Sequence, residues 1–168
     1  MTAAALSLGS NLPPREQWID TGLGTLTHLG VHIVAASPRW HTRAVGGPPQ
    51  PDYLDLVVRA EADLAPEGWL AAAQGAEAAA GRRRWLRWGP RTLDVDVLAI
   101  GDLRIDSPAL TLPHPAILDR PYLLCGLALV VPTWRHPGCH RTYAELAGDP
   151  AVRARASPAA GSGDASAS

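Results

Sequence analysis

Apolar and polar positions alternate in a readable order along the chain. Ala3 to Leu8 is a short apolar run ending at Gly9, the pattern of a buried strand. Ser10 or Asn11 is placed to cap a following helix, with Pro13 and Pro14 near its first turn and Glu16 close to its positive dipole end. Trp18, Ile19, Leu23 and Leu26 recur at helical spacing and predict an inward face that ends near Gly30. Val31 to Trp40 is expected as a second strand, followed by a proline- and glycine-rich loop over residues 44–52. From Tyr53 to Ala62, Leu54, Leu56 and Val58 alternate with Tyr53, Asp55 and Val57, the period of a third strand. Pro66 opens a second helix that runs through an alanine-rich stretch to a stop at Gly81. An arginine-rich loop, 82–91, then leads into a strand over 92–100. A small hairpin over Ile105 to Leu112, a Pro-His-Pro turn and a last helix from about Arg120 close the pattern.

The order β-α-β-β-α-β predicts an α+β, ferredoxin-like sandwich with additional C-terminal elements. Residues 1–149 read as one domain, and 150–168 as a flexible Ala/Ser/Gly-rich tail. At 168 residues the chain is long enough to bury a real core. A hydrophobic content of 46% and a net charge of −1 describe a soluble protein without the basic field that nucleic acid requires. All 15 basic residues are Arg, which excludes a P-loop lysine and a lysine Schiff base. Phosphate contacts must then come from Arg, backbone amides or a metal ion. Cys125 and Cys139 are too few for a disulfide scaffold. The N-terminus lacks a signal-peptide pattern, and no run reaches the roughly 18 apolar residues of a membrane span. The expectation is a cytoplasmic monomer with no nucleic-acid or membrane partner.

Chemistry concentrates between Arg87 and Asp96, which read Arg-Trp-Gly-Pro-Arg-Thr-Leu-Asp-Val-Asp. On a strand, Thr92, Asp94 and Asp96 share one face and Leu93, Val95 and Val97 the other. Carboxylates two residues apart lie roughly 6–7 Å apart at Cα and can reach a pair of divalent cations. Hard oxygen ligands beside arginines suit Mg²⁺ carrying a polyphosphate. An Asp-x-Asp alone is more often a solvated strand face; its neighbours change that. Gln74 and Glu77 stand three apart near the end of the second helix, which delivers the chain into Arg82, Arg83, Arg84 and Arg87. They read either as the wet side of an alanine-rich helix or as acceptors for an adenine or ribose. His114, between two prolines, is a rigidly held donor or a structural turn residue. His136, Cys139 and His140 offer only three close ligands for zinc, and a tight turn accounts for them better.

These pieces, taken together and in order, resemble the hydroxymethyl-dihydropterin pyrophosphokinase family of folate biosynthesis over about residues 3–148. The resemblance is carried by Leu8-Gly9-Ser10-Asn11-Leu12, Pro51-Asp52-Tyr53-Leu54, Gln74-x-x-Glu77, the long run from Arg87 to Asp96, Leu110-Thr111-Leu112-Pro113-His114, and Arg120. It implies transfer of the β,γ-diphosphoryl group of ATP to a pterin hydroxymethyl group, releasing AMP. It implies Asp94 and Asp96 as ligands of two Mg²⁺ ions and, with Arg82 and Arg91, as the catalytic set. Gln74, Glu77, Arg84, Arg87, Trp88, Val97, Thr111, His114 and Arg120 would lie around the co-substrate ATP. Thr42, Val45, Tyr53, Asp55, Trp88 and Tyr122 would lie around the pterin.

The chain departs from the family pattern at several positions. Asp55 stands where the family usually has Asn, and Tyr122 where it has Phe. Ala109 replaces an Arg found in some members, Leu129 an acidic residue, and the loop between Gly81 and Trp88 is about one residue shorter. An amide both donates and accepts, whereas an ionised carboxylate only accepts. A diverged diphosphokinase for another hydroxymethyl heterocycle is therefore one alternative reading. An inactive nucleotide-binding regulator is a second, opposed by the intact Asp94, Asp96 and Arg91.

Overall fold

A computed structural model describes residues 1–82 and 89–156 of the chain. The elements follow as β1 (Thr2–Ser10), α1 (Arg15–His28), β2 (His32–Ala36), β3 (Trp40–Thr42), β4 (Tyr53–Ala62), α2 (Pro66–Ala79) and β5 (Asp94–Ala99). The hairpin β6 (Ile105–Asp106) and β7 (Thr111–Leu112) comes next, then α3 (Pro121–Val130), α4 (Tyr143–Ala147) and α5 (Pro150–Ala156). Strands run in the order β2-β4-β1-β5, all antiparallel, with β3 extending the line of β2 along the same edge of β4. This is the ferredoxin-like arrangement that the periodicity predicts.

The sheet is covered on both faces, and strand alternation sorts its side chains between two cores. Leu6 and Leu8 of β1, Leu54, Leu56 and Val58 of β4, and Val95 and Val97 of β5 meet α1 and α2. On the other face Ala5, Val57 and Leu98 meet α3 and α4, with Leu123, Leu127 and Tyr143 fully or almost fully buried there. The second layer explains why Val57 is buried although it alternates with the first core. Because α3 covers only part of that face, the residues beyond its N-terminus line an open end of the sheet, and the polar strand positions cluster there.

Four local expectations change. The predicted strand over Val31–Trp40 is two strands, because Pro38 interrupts it. Ser37 bridges the break, its N–H donating to Val57 O at 2.8 Å and its hydroxyl accepting from Val57 N at 2.9 Å. Neither Ser10 nor Asn11 caps α1; the cap position is Pro14, with no side-chain hydrogen bond, while Ser10 ends β1. Thr92 precedes β5 rather than belonging to it, the strand starting at Asp94. The tail expected as flexible from residue 150 begins instead with α5: Asp149 accepts from Ala151 N at 2.9 Å, and Val152 packs on the α3 core. A composition of small residues hid that docking; the remainder of the expected tail, 157–168, lies outside the described residues.

Candidate active site

Gly9 organises the open end of the sheet. In β1 it stands opposite Asp55 of β4 on one side and Asp94 of β5 on the other, while Ser7 stands opposite Val57 and Asp96. Asp55, Asp94 and Asp96 therefore share the α3 side of the sheet. A methyl group on Gly9 would overlap Asp55 Oδ1, so glycine is what leaves room for that carboxyl.

Asp55 is 6% exposed and accepts a hydrogen bond from the Thr42 hydroxyl across the β3–β4 pair. Burial pushes its pKa up to about 7; the charge of Asp94 adds to this, and the Thr42 hydrogen bond and Arg120 oppose it. Tyr122, the second residue of α3, is mostly buried, and its phenol is raised by that burial and by Asp55, with Arg120 beside it. Tyr53 is half-buried at the start of β4 and is raised chiefly by desolvation.

Asp94 is held by two guanidinium groups. Arg82 Nη1 lies 2.9 Å from Asp94 Oδ1, and Arg91 Nη1 lies 3.0 Å from Oδ2. The same Arg82 nitrogen pairs with Glu77 Oε1, which also accepts from the backbone N–H of Val95 at 2.9 Å. Glu77 is thus no wet-face residue of α2: it is 5% exposed and ties the end of the helix to β5 and to Arg82. Gln74, three residues earlier, is exposed.

Asp96 has its proton affinity raised by burial first, then by Asp94 and Glu77, with Arg120 and Arg91 opposing. His114 Nε2 lies 3.8 Å from Asp96 Oδ1. The imidazole accepts from Ala116 N at Nδ1 (3.1 Å), which leaves the proton of the neutral ring on Nε2, facing the carboxylates. Desolvation lowers the His114 pKa, Arg120 lowers it further, and Asp94 partly offsets both. The His114 N–H donates to Leu98 O at 2.8 Å, pinning this turn to the end of β5.

Thr42, Tyr53, Asp55, Glu77, Arg82, Arg91, Asp94, Asp96, His114, Arg120 and Tyr122 are thus brought to one end of the sheet. Others are placed differently. Val45 is 72% exposed on the loop after β3. The Val97 side chain is 4% exposed in the core against α1 and α2, so any contact it makes with a nucleotide is through its main chain. Thr111 is exposed on β7. Arg84, Arg87 and Trp88 lie outside the described residues. His136 Nδ1 accepts from Gly138 N at 3.0 Å, and the His136 carbonyl accepts from Cys139 N and His140 N, the hydrogen bonding of a tight turn. Sequence reasoning missed the role of Asn11, which is fully buried and binds residues far along the chain.

Among the described residues no three His, Cys, Asp or Glu side chains gather into a closed metal cage. The donor set at Asp94 and Asp96 nevertheless fits magnesium, which is held through one or two carboxylates and completes its shell with phosphate and water. Asp96, whose proton affinity is raised partly by the neighbouring carboxylates of Asp94 and Glu77, is also a place where a divalent cation relieves like-charge repulsion. Among the described residues no helix is long and apolar enough to cross a membrane.

An antiparallel α+β sheet that presents paired carboxylates and converging arginines at one end defines a phosphoryl-transfer enzyme. The family model for 7,8-dihydro-6-hydroxymethylpterin-pyrophosphokinase (HPPK) matches residues 5–132, and the chain belongs to this family. It is 35% identical over 143 residues to the 2-amino-4-hydroxy-6-hydroxymethyldihydropteridine pyrophosphokinase of Synechocystis, covering 85% of this chain and 73% of that one. It is 40% identical over 134 residues to the Pseudomonas aeruginosa enzyme of the same name, covering 79% of this chain and 82% of that one. The fold also superposes on a Plasmodium falciparum HPPK-DHPS structure with pteroate at a TM-score of 0.67 and 13% identity, a likeness of fold. That match covers 87% of this chain and 42% of the solved one. The reaction is transfer of the diphosphate of ATP to hydroxymethyl-dihydropterin in folate synthesis, with ATP as co-substrate and magnesium as the expected ion.

Proposed function

We propose that Asp94 and Asp96 hold two Mg²⁺ ions, with Arg82 and Arg91 neutralising the phosphates and Thr42, Tyr53, Asp55 and Tyr122 holding the pterin. The observation that supports this division is the pairing of Asp94 with both Arg82 and Arg91 at the open end of the sheet. The metal, when bound, supplies charge that shields the β-phosphorus from its own anionic oxygens. The chain's part is to place donors around those oxygens before reaction begins. Arg82 and Arg91 are already gathered on Asp94, so they need only exchange a carboxylate for phosphate. His114 offers a neutral Nε2–H to the same region. The pterin hydroxyl attacks the β-phosphorus and gives its proton to Asp96, the bond from that phosphorus to the α–β bridging oxygen breaks, and AMP leaves with the bonding pair. Gln74, Glu77, Thr111 and Arg120, with the main chain at Val97 and with Arg84, Arg87 and Trp88, complete the ATP side of this reading. Val45, on the exposed loop after β3, completes the pterin side of this reading.

Asp55 fits this pterin role in its neutral form. A protonated carboxyl, like an asparagine amide, presents a donor beside a carbonyl acceptor, with one O–H where the amide has two N–H groups. Burial favours that form below about pH 7. The usual acceptor edge is then met by a different residue that can still both donate and accept. The protein works in this reading as a cytoplasmic monomer on small molecules.

The test is metal binding. Asp94→Asn and Asp96→Asn should each weaken Mn²⁺ binding in the presence of a non-hydrolysable ATP analogue by tenfold or more, and lower turnover by orders of magnitude. Wild-type Mn²⁺ affinity in both variants would remove these residues from the metal site.

A further inference from the structure

Asn11 joins three separate parts of the site through a single side chain. It follows β1 immediately, is fully buried, and has two bonds to one residue: its N–H donates to Arg91 O at 3.2 Å, and its Oδ1 accepts from Arg91 N at 2.8 Å. Its Nδ2 donates to Gln50 Oε1 at 2.8 Å and to Pro51 O at 3.1 Å, on the loop between β3 and β4. That loop joins Thr42, whose hydroxyl donates to Asp55, to its strand partner Tyr53, two residues before Asp55, and it lines a cleft of about 370 Å³. Arg91 in turn reaches Asp94 Oδ2 at 3.0 Å. A continuous set of bonds therefore runs from the loop beside Asp55 through one amide to the arginine on Asp94.

The chemistry of the position calls for an amide. One end must accept from a backbone N–H, and the other must donate twice, to a side-chain and a backbone carbonyl. Asparagine offers both on a short stem, aspartate only accepts, and serine has too few donors for the loop side. A buried side chain so fully engaged fixes the relative position of its partners, because each unmade bond would strand a polar group away from water.

We propose that Asn11 is a positioning residue that sets the loop 43–52 against Arg91, so that the pterin-holding and phosphate-holding parts of the site keep one relative register. This rests on the reading that Thr42, Tyr53 and Asp55 face the pterin. The discriminating change is Asn11→Asp, nearly the same shape: the carboxylate still accepts from Arg91 N but places lone pairs against Pro51 O, selectively breaking the loop side. Gln50→Ala removes the Asn11–Gln50 bond, together with the bond from Gln50 Nε2 to Pro48 O, from a half-exposed position and leaves Asn11 intact.

Steady-state kinetics on both variants, with ATP and hydroxymethyl-dihydropterin varied separately below the measured unfolding temperature, test the idea. Asn11→Asp should raise the pterin KM about tenfold or more, the effect of a lost buried hydrogen bond, while the ATP KM stays within about threefold. Gln50→Ala should move the pterin KM the same way by about threefold. A merely structural Asn11 would lower the active fraction, so that kcat falls while neither KM moves, and that result overturns the proposal. Equal rises in both KM values overturn it as well. If Asn11→Asp does not fold, Gln50→Ala decides: an unchanged pterin KM there refutes the proposal. Asp55→Ala is run beside them. An unmoved pterin KM in Asp55→Ala means that the acceptor-site reading itself has failed; a moved one, with Asn11→Asp and Gln50→Ala unchanged, means that the Asn11 proposal alone has failed.

Discussion

Replacing Asp55 with Asn should make the protein more stable at alkaline pH and leave it almost unchanged in acid. The carboxyl is 6% exposed, and its pKa rises from 3.8 to about 7 on folding, chiefly because burial disfavours the charge. The groups that face it are Thr42 from β3, Tyr53 on its own strand, Asp94 from β5, and Arg120 and Tyr122 at the start of α3. Thr42 and Arg120 favour the charged form but do not overcome burial and Asp94. The folded state holds this proton more firmly than the unfolded state does. Its contribution to stability is therefore complete below about pH 4 and is lost as pH rises through about 7. At about 1.4 kcal/mol per pH unit, the difference between 3.8 and about 7 corresponds to an upper bound of about 4 kcal/mol. Asn is neutral throughout and has nearly the same shape. Thermal unfolding of the two proteins should show a gap that widens by roughly 2–3 kcal/mol between about pH 5 and pH 8, or roughly 5–10 °C in Tm. The pterin kcat/KM of the wild type should fall across the same window relative to that of Asp55→Asn, since the ionised carboxyl loses its donor. A stability gap that stays constant from acid to alkali would refute the argument that Asp55 is neutral in the folded protein.

Two further changes test the surrounding frame. Glu77→Ala strands the backbone N–H of Val95 and removes one partner of the buried Arg82, so urea unfolding should show a loss of about 3–5 kcal/mol; Glu77→Gln keeps the acceptor and should cost less than half as much. A loss under about 1 kcal/mol in the alanine variant would contradict the buried pairing. Gly9→Ala puts a methyl group where Asp55 Oδ1 lies, so the pterin KM should rise more than the ATP KM, with a stability cost of about 1–3 kcal/mol; unchanged pterin kinetics would show that Asp55 has room to move aside.

Local pattern was enough to place the framework. The period of two at Tyr53–Ala62 returned β4 with its bounds, and Pro66 and Gly81 bracket α2 because each acts on its own backbone. The shared face of Asp94 and Asp96 was legible for the same reason: strand alternation is a property of neighbouring residues. Where the outcome depended on distant partners, the sequence was silent or misleading. Asn11 has the composition of a helix cap, yet its bonds go to residues 39, 40 and 80 positions away, which no local signal records. Glu77 reads as the wet side of a helix until β5 and Arg82 close over it. Val45 and Val97 look alike as apolar letters, but one is on an exposed loop and the other is in the core. The charge state of Asp55 belongs wholly to the tertiary structure, because desolvation is set by what packs above the carboxyl and not by its neighbours along the chain.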